Sequence, residues 1–317
     1  MATKLWIGGT SGATTSYSTA ANWSSSGVPN HSDNVVIARN NQATLYDITD
    51  GLDQSAVDLA SFTVAHSYTG KIGAATAYLQ IRSADVTIGE KAGLQDETGP
   101  TRIKLDLGDA EAATVNVIDT ASSSSDTGSS ALQLIGGSTY THTINVLGGN
   151  VGLCSMDASE AGKFDLFVPE SSQGSTPHVI IGRGATLVLC EIARGLAIDQ
   201  GHSGDVSQLR ISGGELRCYR AAAYTNIDLI GNAKLIWNST DTLTTVNVGS
   251  GTEMDCSGDP RAKTITSLKL HSGSKYNGNT GKADSVTYTN DIKLVKCRLS
   301  DVSVDRGLDT DLKFDYE

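Results

Sequence analysis

Two short runs of alternating apolar residues, joined by a glycine-rich corner, recur along most of this chain and leave few folds open to it. Ile144, Val146, Gly148, Gly149, Val151, Leu153 is one copy, and Leu209, Ile211, Gly213, Gly214, Leu216, Cys218 is another. Looser copies follow at Val179, Ile181, Gly182, Gly184, Leu187, Leu189; at Ile227, Leu229, Gly231, Leu235, Trp237; at Val246, Val248, Gly249, Gly251, Met254, Cys256; and at Leu268, Leu270, Gly273, Tyr276. Alternation with period 2 signals strand, and an intervening Gly marks a sharp backbone corner. A unit of this length cannot bury its apolar face alone, so stacked copies must share one continuous core.

Spacing between equivalent positions sets the type of stack. Ile211 to Leu229 is 18 residues, Leu229 to Val248 is 19, Val248 to Leu270 is 22 and Leu270 to Leu294 is 24. A rung of that size matches one turn of a three-sheet parallel β-helix, whereas a four-stranded propeller blade needs about 40 residues or more. Earlier intervals are longer, 35 from Val146 to Ile181 and 30 from Ile181 to Ile211, which fits a loop inserted at Glu170 to Pro177. Helical periodicity is nearly absent; the best helix candidate, Ala185 to Leu196, alternates at Leu187, Val188, Leu189 and reads as strand. The expected fold is all-β, a right-handed parallel β-helix (β-solenoid) with capped ends.

Both ends depart from the repeat. A terminal rung exposes strand edges and an open core and must be covered to prevent end-to-end pairing. Trp6 and Trp23 are suited to that task, so residues 1–65 read as an N-terminal cap with the first strands, 66–288 as the β-helix and 289–317 as a C-terminal cap or docking tail. The tail crowds charged residues with Leu312, Phe314 and Tyr316, the side chains expected to meet a partner. Cys154, Cys190, Cys218 and Cys256 occupy nearly one slot of the repeat, which predicts an internal ladder of small reduced side chains. Five cysteines without CxxC spacing argue against a disulfide framework and for folding in a reducing compartment.

Composition narrows function by exclusion. Net charge is −11 and the 24 Lys and Arg are scattered, so no nucleic-acid partner is expected. With three Trp and four Phe there is little material for a sugar cleft paved with rings. No apolar stretch reaches membrane-spanning length, and the start MATKLWIGG has one Lys with no run of 7 to 15 apolar residues behind it, so no membrane partner is expected. The six His show no ligand spacing, and the pairs Gly148, Gly149 and Gly213, Gly214 precede strand patterns rather than helices, which makes them corners instead of phosphate cradles. Neither metal nor cofactor is expected. Asp106, Asp109 and Glu111, and Asp157 with Glu160, are the carboxylates that paired acid chemistry would need, yet they read as solvated acidic loops. Asn22 and Asn238 match the glycosylation acceptor pattern and read as chance matches. No catalytic residue is expected.

The opening W-I-G-G (6–9), A-N-W-S (21–24), G-V-P (27–29) and D-N-V-V-I (33–37) resembles the start of β-helical bacterial surface proteins such as adhesins and autotransporter passengers. The repeats that follow resemble those of β-helical structural proteins of tailed bacteriophages, including head decoration proteins and tail spikes. That resemblance implies a virion structural protein made in the host cytoplasm. Its partners would be itself, as a homotrimer, and the major capsid protein or other virion proteins. A receptor- or glycan-binding fibre or adhesin is the alternative it leaves, with a polysaccharide depolymerase behind.

Overall fold

The structure, a computed structural model, describes residues 2–25, 27–39, 44–65, 67–68, 70–74, 77–89, 102–120, 130–157, 159–170, 175–219, 223–278, 286–305 and 313–316. Among them there is no α-helix, and the two helical segments, Ala20–Asn22 and Leu299–Asp301, are single 3-10 turns. The strands fall into two parallel sheets, here sheet 1 and sheet 2, visited alternately by the chain. The fold is the all-β parallel β-helix that the repeat requires. It divides into two compact units: residues 1–163 with 171–179, and residues 164–170 with 180–317.

In the first unit, sheet 1 stacks Thr3–Leu5, Asn34–Ile37, Ser61–Val64, Asp85–Ile88, Thr114–Val117 and His142–Val146. Register places Val35, Phe62, Val86, Val115 and Ile144 in one inward column, all with 0% exposure. Sheet 2 answers with Ile81, Leu105, Leu134 and Leu153, in register across four strands. Burying one such side chain stabilises by roughly 1.5–3 kcal/mol, so these columns supply the driving force for stacking. Strands of the sequence's N-terminal segment already belong to the stack, and the chain between Trp6 and Asp33 joins Thr3–Leu5 to Asn34–Ile37, with Ser16 bridged in parallel to Asp50.

In the second unit, Ile192, Ile211, Leu229, Val248, Leu270 and Leu294 form one inward column of sheet 1. The equivalences at 18, 19, 22 and 24 residues are therefore true registers. Two expectations need correction. Among the described residues there are two sheets, not three; in the second unit the third side is a bend within the long strands of sheet 1. In Asp205–Ile211 the buried residues are Val206, Leu209 and Ile211; in Ala223–Leu229 they are Tyr224, Ile227 and Leu229. A step of three breaks the period-2 parity and turns the chain through a corner. Carbonyls at the bend are met by side chains of the next rung: Ser207 Oγ donates to Val188 O at 3.0 Å and Asn226 Nδ2 to Ser207 O at 3.1 Å.

Ile181 is the second correction. It lies in sheet 2, while Val146 and Ile211 lie in sheet 1, so the 35- and 30-residue intervals compare unlike positions. The sheet-1 strand that precedes Ala185–Ile192 is Gly162–Val168. It ends at Pro169 instead of a glycine pair, so the hinge pattern passes over it.

Candidate functional site

Each residue singled out in the sequence has a definite place. Trp6 and Trp23, each 1% exposed, pack edge to face with ring centroids 5.2 Å apart, and Tyr17 packs on Trp23 at 4.6 Å. Both indole N–H groups are satisfied: Trp6 Nε1 donates to Tyr46 O at 2.9 Å and Trp23 Nε1 to Tyr17 O at 2.7 Å. Leu5 N and O, on the outer edge of the first strand, bond to Ser24 Oγ and Ser24 N, so the edge is closed by the chain itself. Asn22 is wholly buried, with its amide donating to Ala13 O and Ser16 O, which removes it as a glycosylation acceptor. Trp6, Tyr17 and Trp23 form a buried aromatic cluster.

The glycine pairs are corners set by close approach. Gly149 has φ of +87° and Gly214 φ of +75°, and a Cβ on Gly214 would lie 2.6 Å from Arg194 C. Gly148 would carry a Cβ 2.8 Å from Ile118 O, and one on Gly213 would collide with Ala193 O.

The cysteine ladder does not exist as one column. Cys218 lies in sheet 2, paired in register with Asp199 on one side and Trp237 on the other. Cys190 lies in sheet 1, in the column that continues with Leu209, and Cys154 has left its strand with φ of +46°. Nearly equal distance from a Gly corner does not distinguish the two sheets, which is why the four looked equivalent. All five cysteines are unpaired thiols. Burial pushes the thiols of Cys154 and Cys256 up to about 12 and raises those of Cys190 and Cys218 as well, so these four are inert small core residues.

Register exposes what the sequence reading missed. The rung neighbour of Cys218 is Asp199, a carboxylate with 0% exposure. Asp199 Oδ2 meets His202 Nδ1 and the Tyr224 hydroxyl, each at 2.7 Å, while Oδ1 accepts from Gly201 N at 2.8 Å and His202 N at 3.0 Å. Burial alone would raise the Asp199 carboxyl, but the His202 and Tyr224 hydrogen bonds outweigh it and hold it below its ordinary value. The His202 ring packs edge-on against Tyr224, which in turn packs on Trp237. His202 Nε2 and Trp237 Nε1 are buried without a partner among the described residues. An Asp–His pair is the start of a general-base arrangement, but both side chains are closed to solvent. Here the carboxylate holds its own corner through His202 and ties it to the next rung through Tyr224.

The candidate carboxylates are dispersed in local roles. Asp109 accepts from Thr139 N and Oγ1, and Asp157 from Ser159 N and Oγ. Glu160 is not solvated: it is buried against Lys104 at 2.9 Å and accepts from Met156 N. Among the described residues no group of three or more His, Cys, Asp or Glu is arranged to hold a metal ion. Nor is any helix among them long and apolar enough to cross a membrane.

No protein-family model, curated protein or solved structure matches this chain.

Two surface features remain. In the first unit the outward columns of sheet 1 run Thr3, Asn34, Ser61, Asp85, Thr114, Thr143 and Leu5, Val36, Thr63, Thr87, Asn116, Asn145. Asp85 is their one charged member, and the amides stack with Asn145 Nδ2 donating to Asn116 Oδ1 at 2.9 Å. In the second unit an open groove of about 380 Å³ is lined by Phe167, Pro169, Glu191, Arg210, Ser212 and Ile230, among others. Of the expected partner-binding residues, Leu312 lies outside the described residues. Phe314 and Tyr316 belong to the strand Phe314–Tyr316, which extends sheet 1, with Phe314 half-buried and Tyr316 64% exposed.

Proposed function

We propose that this chain is a non-enzymatic structural protein of a tailed-phage particle, a decoration protein that binds the outer surface of the head as a homotrimer. The observation that carries this reading is the sheet-1 face of the first unit, where a chain of net charge −11 presents two columns made mostly of hydroxyl and amide side chains, with Asp85 their one charge and Leu5 and Val36 at one end. The cores of protein interfaces are depleted of charge, and a face already ordered by side-chain ladders loses little entropy on docking. Its partner on this reading is the major capsid protein. The resemblance of the repeats to phage structural proteins points the same way. So does the use of Asp199, His202 and four thiols as core rather than as exposed chemistry.

Copy number in the native particle tests the reading. Quantitative gel analysis with imaging is expected to give copies approaching the number of capsomers and density on the outer head. A few copies confined to the tail refute it. Thr87→Arg and Asn116→Arg, which place two cations on the face, are expected to weaken attachment to purified heads at least tenfold without unfolding the chain.

A further inference from the structure

Sheet 1 of the second unit has an anomaly in its outward face. Register sets Glu191, Arg210, Asp228, Asn247, Lys269 and Lys293 in one outward column. Ala193 N donates to Val168 O as Ser212 N does to Ile192 O and Ile230 N to Ile211 O, which puts Phe167 level with Glu191 in that column. A column otherwise charged or amide in this unit thus holds one outward aromatic ring. The next positions along the strands, Pro169, Ala193, Ser212 and Ile230, make an aliphatic and hydroxyl wall, and Ile230 is 37% exposed.

The charges beside the ring are unused. Glu191 and Arg210 are register partners of opposite sign, yet neither forms an ion pair or a hydrogen bond among the described residues. Lys234 and Glu253, register partners in sheet 2, close to 3.1 Å. The groove therefore combines one aromatic face, an aliphatic wall, an unengaged carboxylate acceptor and an unengaged guanidinium fork, within a volume of about 380 Å³. That volume is in the range of small-ligand sites.

We propose that this groove is a saccharide subsite, taking one neutral hexopyranose unit with the C–H face of the sugar on the Phe167 ring and its hydroxyls shared between Glu191 and Arg210. The negative face of an aromatic ring attracts C–H groups that carry partial positive charge. Vicinal hydroxyls match a carboxylate acceptor next to a forked donor, because each hydroxyl both donates and accepts. A ligand that was only apolar would leave Glu191 and Arg210 desolvated and unpaired, and a purely anionic one would face Glu191. The site goes beyond head decoration: it gives a surface-bound protein a contact for glycans, free or cell-attached.

The test uses the full chain and four probes, methyl β-D-glucoside, methyl β-D-galactoside, methyl α-D-mannoside and N-acetylglucosamine, in saturation-transfer NMR. At least one is expected to receive transfer at its ring protons. Phe167→Ala and Arg210→Ala should each reduce that transfer at least fivefold, while Phe167→Tyr retains it. All variants are checked by circular dichroism, and Phe167→Tyr separates loss of the ring from loss of the fold. Absence of transfer to every probe with the unaltered chain overturns the proposal. So does transfer unchanged by Phe167→Ala. Concentration-dependent association abolished by Phe167→Ala, with no sugar signal, assigns the groove to a second copy and overturns it too. Failure here leaves copy number on the head unaffected, so the two readings fall separately.

Discussion

Replacing Asp199 by Ala tests whether the second unit is braced by a buried charge. The carboxylate has no exposure and accepts four hydrogen bonds, two of them at 2.7 Å from His202 and Tyr224. Hydrogen bonds to a charged group are worth about 1.5–3 kcal/mol each, and removing one partner of a buried charged pair costs about 3–5 kcal/mol. Asp199→Ala is therefore expected to destabilise by about 3–5 kcal/mol, and Tyr224→Phe, which leaves the other three donors, by about 1.5–3 kcal/mol. The double variant should cost less than the sum, because Phe leaves no stranded hydroxyl. Urea unfolding followed by Trp237 emission reads this directly once Trp6 and Trp23 are changed to Phe, since those two lie in the other unit.

The same carboxylate sets a pH dependence. Its folded value is depressed, so its contribution is complete above the unfolded value of about 3.9 and is lost as pH falls through the lower folded value. The stability gap between the unaltered chain and Asp199→Asn should be flat above about pH 5 and shrink below about pH 4. A cost under about 0.5 kcal/mol for Asp199→Ala, the size of an ordinary surface substitution, refutes the brace. A gap that does not narrow in acid refutes the charge as its source.

Other outcomes follow from the same geometry. Gly214→Val forces a β-branched residue to φ of +75° and drives its Cβ to 2.6 Å from Arg194 C, so thermal unfolding should show a loss of at least about 2 kcal/mol; Asp157→Ala, which removes a local turn contact, should lie within about 0.5 kcal/mol. Lys234→Glu places three carboxylates in consecutive rungs with Glu215 and Glu253; the expected cost is about 0.5–1 kcal/mol at low salt, reduced by added salt. Titration of the native chain with a thiol reagent should modify Cys297, which is partly exposed, and leave Cys154, Cys190, Cys218 and Cys256 unreacted until denaturant is added. Rapid labelling of two or more thiols under native conditions counts against their burial.

What the sequence made legible, and what it hid, has a physical division. Inward positions are constrained by rung on rung contact, so the column Ile211, Leu229, Val248, Leu270, Leu294 is readable from alternation and a Gly corner. Each rung has two corners, however, and both can be glycine-rich. Gly182 and Gly184 turn the chain from sheet 2 into sheet 1, while Gly213 and Gly214 turn it the other way. Alternation carries no label for direction, which is how Ile181 and Cys190 came to be matched with residues on the opposite sheet. Asp199 was hidden for a related reason. A carboxylate next to Gln and Gly reads as a turn residue until register stacks it on Cys218, and its partners His202 and Tyr224 come from a corner and from the next rung.

Outward positions obey a weaker rule, since they must only avoid repelling the rungs above and below. Glu215, Lys234, Glu253 and Lys275 satisfy it by alternating sign, and that alternation opposes any slip by one rung, which would bring like charges face to face. A column that breaks the rule without gaining stability is therefore the place to look for selection by something other than the fold. Phe167 beside Glu191 and Arg210 is such a break: an outward aromatic ring in a chain with few of them. No window of sequence contains it together with Arg210 and Ile230, because the stack brings them together from three rungs. Core chemistry in a solenoid is periodic and can be read along the chain, whereas surface chemistry is assembled across it and appears only when the register is known.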